Sequence, residues 1–244
     1  MIIGVLGLEL RRMLRNKRTV IFTLVMPAAF FLLFGTSAAY RTERVGDGNV
    51  TGYVLISMAV YGAMLATTSG GAMVSIERAA GWSRQLRLTP LKPATYVLIK
   101  VILAMVIGAV SVAVAFAVGA FSGAELPVEG WIGSGLLAWA CSLVFAAFGL
   151  FMGYLLPSEN VMQILGPVLA LLSFAGGLFV PADQLGSTFA TIAKFTPVYG
   201  VGEIARYPLV QDGTLWIAVV NVLAWTAVFA AGAMWRFRRD TARV

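Results

Sequence analysis

Residues 77–93 read ERAAGWSRQLRLTPLKP. The stretch is basic and Pro-punctuated, and it stands between two long apolar runs, 51–76 and 95–121. Arg78, Arg84, Arg87 and Lys92 face a single acid, Glu77. A segment so charged cannot lie in hydrocarbon. It must be a bend at a membrane surface, and the runs on either side must be spanning helices. That reading decides the fold class.

Working outward from the bend, the same pattern repeats. A span takes about 20 mostly apolar residues, and such runs occupy 20–40, 51–76, 95–121, 131–156, 161–181 and 214–235. Several carry helix-disturbing residues, among them Pro27, Gly166-Pro167 and Gly176-Gly177. Membrane helices tolerate these where neighbours satisfy the freed backbone groups. Only 12% of the 244 residues are charged, about half the share in a soluble domain, so a water-soluble fold is excluded. The net charge of +7 does not point to nucleic acid, because the Lys and Arg residues flank the apolar runs. There they set topology and meet lipid headgroups.

The basic excess alternates from loop to loop. Arg11, Arg12, Arg15, Lys17 and Arg18 precede the first run. The 77–93 bend and the tail (Arg236, Arg238, Arg239, Arg243) are basic too. The intervening loops are balanced or acidic, with Glu125 and Glu129 after the third run. Glu159 alone charges the short turn after the fourth run. Both termini and the bend are therefore expected in the cytoplasm, consistent with an even number of spans. Ser37-Ala38-Ala39 after the first run imitates a signal-peptide cleavage site. The run before it is longer than the usual 7–15-residue core of a signal peptide and contains Pro27, so it is read as a retained span.

Residues 1–19 form a separate element. Leu6, Leu10, Met13 and Leu14 share one helical face, and Arg11, Arg15 and Arg18 another. Such a helix lies in the membrane interface. It either anchors the orientation or docks a cytoplasmic partner.

Residues fit for chemistry are few. The chain has one cysteine, Cys141, and no histidine, which removes His/Cys metal sites and His-based triads. No catalytic residue and no metal are expected. Lys100 lies about one turn into the third run, from where it can snorkel to the surface. No acid stands mid-run, which argues against a proton-driven carrier. The phosphate-cradling GxxxxGK[ST] loop is missing. If this protein moves a solute uphill, the energy must come from another chain.

Within the bend, Ala79, Trp82 and Leu86 fall at i, i+3, i+7 and make one apolar stripe, with Arg84 and Arg87 elsewhere. Gly81 permits a hinge, and Thr89-Pro90 has the form of an N-cap followed by Pro at the first helical position. Glu77 is free in this reading to pair with a partner's arginine. A topogenic loop with Trp82 as interfacial anchor fits these residues, and so does a docking element.

Glu77-Arg78-x-x-Gly81 followed by Leu86-x-x-Thr89-Pro90-Leu91 resembles the cytoplasmic loop of type-2 ABC transporter permeases, including the bacterial drug-resistance (daunorubicin-permease-like) branch. The basic start ELRRMLRNKR, with its Pro-bearing first run, is similar to that family's N-terminus. So is the ending GLFVPADQLGSTFATIAKFTPVYGVGEIAR, with Pro181, a short helix and Thr196-Pro197-x-Tyr199. Gly186 departs from the family, where many members carry Pro. The resemblance implies a half-transporter that pairs with a second permease subunit, as homo- or heterodimer, and binds two cytoplasmic ATPase subunits, which hold ATP and Mg. This chain would bind no cofactor itself. The 77–93 loop would be the coupling element, with Glu77, Arg78, Gly81, Trp82, Arg84, Leu86, Arg87 and Pro90 as its residues. Ser158 and Glu159 would form a second, smaller contact. Residues 1–19, with Arg11, Arg12 and Arg15, would be the interfacial helix.

Two patterns remain open at this level. Gly149-x-x-x-Gly153 and the Gly62, Ala66, Gly70 ladder let helices approach closely, either between subunits or within one. Phe30, Phe34, Tyr53 and Tyr61 either line a translocation path or simply pack. No charged ring stands ready for a strongly charged solute.

The expected architecture is all-α: a multi-pass plasma (inner) membrane protein with six transmembrane helices over 20–235. An amphipathic interfacial helix precedes them and a basic cytoplasmic tail, 236–244, follows. Short outer re-entrant helices occupy 183–213, where Phe189, Ile192 and Phe195 suggest partial burial. The expected function is the permease subunit of an ATP-driven exporter of an apolar or amphipathic solute. An ATP-independent channel or secondary carrier is the alternative, and a membrane-embedded enzyme is disfavoured by the missing histidines and acids.

Overall fold

The computed structural model describes residues 7, 11, 21–81, 93–158, 160–211 and 215–242. The helices are α1 (Met26–Phe34), α2 (Ala38–Thr42), α3 (Val50–Ala79), α4 (Pro93–Ala120), α5 (Val128–Cys141), α6 (Leu143–Leu155), α7 (Val161–Ala175), α8 (Ser187–Ala193), α9 (Pro197–Val210) and α10 (Leu215–Ala242). Four helical stretches are long and apolar enough to cross a membrane: Val50–Ala79, Thr95–Ala120, Val128–Leu155 and Leu215–Arg239. The chain is thus a mostly helical, polytopic membrane protein.

The first and fifth predicted spans are shorter than their apolar runs. Pro27 stands at the start of α1 and a π-turn, Ile21–Val25, precedes it. Proline lacks the N–H that an ordinary helical turn would use, and the wider turn accommodates it. The run then breaks at Gly35 and restarts at α2, where the Ser37 hydroxyl accepts from Tyr40 N. In the fifth run α7 stops at Gly176, because Gly177 takes φ +73° and turns the chain back. The all-α expectation fails at one small place. Arg44–Val45 and Gly48–Asn49 pair as a two-stranded antiparallel ribbon, β1 and β2, turned by Gly46 at φ +54°.

Asn49 fastens that ribbon and starts α3. Its side-chain oxygen accepts from Gly52 N at 2.8 Å and Glu125 N at 3.0 Å. Its amide donates to the carbonyls of Arg41 and Gly123. One fully buried side chain therefore caps α3 and ties down the loop after α4. Thr196 plays a similar part for α9, accepting from Tyr199 N ahead of Pro197.

α3 is the axis of the fold. It packs along α4 and α6, α6 packs on α10, and α9 packs on α5 and α10. The close seams are made by the small residues. A Cβ at Gly149 would collide with the Thr68 backbone, and one at Gly70 would lie 2.8 Å from Ala104. Gly153 faces Ala72, and Gly62 faces Ser111 and Pro27. Both small-residue patterns are thus used inside one chain. Of the predicted outer apolar trio only Phe189 is half-buried, edge-on to Phe174. Ile192 and Phe195 are exposed, because short α8 turns Ala193 inward instead.

Glycine at 149 is set by backbone approach, whereas nothing lies within 4 Å of a Cβ at Gly166. Gly149→Ala should destabilise the detergent-solubilised protein by about 1–3 kcal/mol, and Gly166→Ala should be neutral or slightly stabilising. Thermal unfolding of the two variants checks the contrast.

Candidate functional site: the bolted end of α3

The last turn of α3 carries adjacent charges that reach in opposite directions. Glu77 is buried and accepts from Lys100 Nζ at 2.6 Å. It also accepts from the Tyr96 hydroxyl. Tyr96 and Lys100 stand at i, i+4 on α4, one helical face, and the Lys100 ammonium lies 5.4 Å from the Tyr96 ring centroid. Arg78 turns the other way. Its Nη1 donates to the carbonyls of Gly153 and Tyr154 at 3.2 and 3.1 Å, at the end of α6. Its guanidinium also lies over the Tyr154 ring at 5.5 Å. Tyr154 in turn meets Phe237 of α10 edge-on. Two consecutive residues thus fix α3 to α4 on one side and to α6, and through it α10, on the other.

α3 ends at this point on a glycine cap. Ala80 N donates to Ile76 O and Gly81 N to Arg78 O, and Gly81 sits at φ +75°. This is the left-handed helix stop that glycine supplies without strain. The predicted hinge is therefore a cap from which the following loop departs.

The expectation for Lys100 is corrected. It does not snorkel to the surface but is buried against Glu77. Burial of both charges requires pairing, and Glu77 is correspondingly engaged within the chain, where the sequence left it free for a partner. Tyr96, Lys100 and Tyr154 were missed as site residues. The one signal for the first two was a polar i, i+4 pair at the mouth of an apolar helix.

The remaining predicted residues fall as follows. Trp82, Arg84, Leu86, Arg87 and Pro90 of the loop lie outside the described residues, as do Glu159, Arg12 and Arg15. Arg11 is helical and exposed. Ser158 is half-buried, just beyond the end of α6 that Arg78 grips. Phe30, Phe34 and Tyr61 come together, with Phe30–Phe34 and Phe30–Tyr61 centroids 6.0 and 6.5 Å apart. Phe179 joins them, edge-on to Tyr61 at 5.0 Å. Tyr53 is elsewhere, with its ring under the Arg206 guanidinium at 4.8 Å.

Arg206, the last residue of the quoted ending, is buried. It bonds Gly177 O, Ser57 Oγ and, at 3.1 Å, Glu203. It pins α9 and the turn after α7 to α3, at the end opposite Glu77. Among the described residues no group of His, Cys, Asp and Glu is placed to hold a metal ion.

Residues 4–210 match the sequence profile of the ABC-2 type transporter membrane family. The chain is 31% identical over 226 residues to the "Putative transport permease YvfS" of Bacillus subtilis (strain 168), covering 91% of this chain and 90% of that one.

Removing one member of the buried pair leaves an uncompensated charge, which costs about 3–5 kcal/mol. Glu77→Gln and Lys100→Met alone should each lower the unfolding temperature markedly. The double variant should recover most of the loss, since an apolar or neutral replacement of both members is often tolerated. A double-mutant cycle on the solubilised protein measures the coupling.

Proposed function

The chain belongs to the ABC-2 type transporter family, and on that premise we propose that it is the permease subunit of an ATP-driven exporter. It couples to a separate ATPase through the 77–93 loop. The observation that carries this reading is the anchoring of the loop's first residues. Glu77 holds α4, Arg78 holds α6, and Gly81 ends α3 between them. A push on a loop so rooted displaces three helices together. A loop serving only topology has no need of that linkage.

In this reading α1 and α7 complete six membrane crossings with the four long helical stretches. Both termini are in the cytoplasm of the plasma (inner) membrane, residues 1–19 lie in the interface, and α8 and α9 fold back at the outer leaflet. Two ATPase subunits, holding ATP and Mg, and a second permease complete the transporter. Phe30, Phe34 and Tyr61, with Phe179, present an aromatic lining suited to an apolar or amphipathic solute such as a drug or lipid. The family premise favours this over an ion-driven carrier, and Glu77, the buried acid among the described residues of the long helical stretches, is paired with Lys100.

The test is reconstitution with the cognate ATPase. Solute flux should require that ATPase and ATP. Arg84→Glu combined with Arg87→Glu should weaken ATPase association at least about tenfold, the scale of a lost interfacial charge contact, while membrane insertion persists. Flux driven by an ion gradient without the ATPase would identify a carrier instead.

A further inference from the structure

α10 ends in a basic, aromatic turn that the transport reading does not use. From Leu215 to Trp235 the helix rises about 30 Å, the thickness of a bilayer's hydrocarbon core, so Trp235 stands at the membrane–water interface. The helix has two distinct sides there. Phe229 and Ala233 are buried, Phe229 against Phe148 at 5.0 Å, and Phe237 rests on Tyr154. At 100° per residue, Trp235 and Arg239 project away from that packed side. Trp235 is 50% exposed, and its neighbours on the outward side, Val228 and Met234, are exposed too.

Two guanidiniums gather on this one outward indole. The Arg236 and Arg239 Cζ atoms lie 5.3 and 4.3 Å from the Trp235 ring centroid. No carboxylate among the described residues pairs with either. Arg236 Nε is covered and has no acceptor. The helix C-terminus and the ring quadrupole both favour cations, but neither offsets the repulsion between two cations brought to the same ring. An anion that accepts from both would do so.

We propose that Trp235, Arg236 and Arg239 form a binding site for the phosphate of an anionic phospholipid. Guanidinium is suited to bidentate phosphate binding. The indole would lie along the upper acyl chain or glycerol, where tryptophan settles in membranes. Basic residues beside an anionic leaflet are drawn to it electrostatically, and here two are already assembled at headgroup depth. The site does not depend on the exporter reading, because it needs only that α10 span the bilayer.

Native mass spectrometry of the delipidated full chain tests the proposal, with phosphatidylglycerol, phosphatidylcholine and inorganic phosphate as probes. The wild type should retain phosphatidylglycerol at least about tenfold more tightly than the Arg236→Gln/Arg239→Gln variant. It should also prefer that lipid to phosphatidylcholine. The Arg236→Lys/Arg239→Lys variant should fall between, keeping charge but losing the fork, and it serves as the folded control. Equal retention by wild type and the glutamine variant would overturn the proposal. So would displacement of the lipid by millimolar inorganic phosphate, which would mark a free-anion site.

Discussion

Glu77 and Lys100 are two charges held 2.6 Å apart where water does not reach them. Most of the arrangement at this end of the helices follows from that contact. In a low-dielectric interior neither charge is tolerable alone, so α3 and α4 cannot separate at this end without stranding one of them. Arg78, one residue on, adds the same constraint toward α6 through two backbone carbonyls. The loop that begins at Gly81 is therefore attached to a three-helix unit and not to one helix. In the coupling proposed above, such an attachment passes a push on to three helices together.

The opposite end is organised on the same principle. Buried Arg206 gathers Glu203, Ser57, the Gly177 carbonyl and the Tyr53 ring, and Asn49 gathers the ribbon and the α4–α5 loop. Between these ends the contacts are steric. Gly70 lets α4 approach α3, and Gly149 and Gly153 do the same for α6. In membranes, where lipid is as apolar as leucine, such close packing and interhelical polar contacts replace the hydrophobic drive. The result is polar fastening at the two ends and small-residue seams along the length.

Much of this was legible in the sequence, and the reasons for the rest are physical. The four long helical stretches follow from run length and charge placement, which are local properties. The interruption between α3 and α4 was legible because Arg and Lys cannot be left in lipid. The pairing of Glu77 with Lys100 was not, because it joins residues 23 positions apart on different helices. Arg206 was hidden for the same reason, since its partners Ser57 and Gly177 are distant in sequence. The apolar length of the first run and its Pro27 were legible, but the break at Gly35 was not, because no residue pattern around it marks a stop. The glycine patterns announced close approach, but only the fold assigns the approach to helices of one chain.

The central claim is that the ends of α3 and α6 move as one body when the 77–93 loop is pushed. Spin labels at Ile76 and Leu155, both partly exposed near those ends, on a Cys141→Ala background, read that separation directly by pulsed electron resonance. With the cognate ATPase bound, the distance distribution should be narrow and identical with and without ATP, and it should broaden in Arg78→Gln. A distance that shifts with nucleotide in the otherwise unaltered protein would contradict the account.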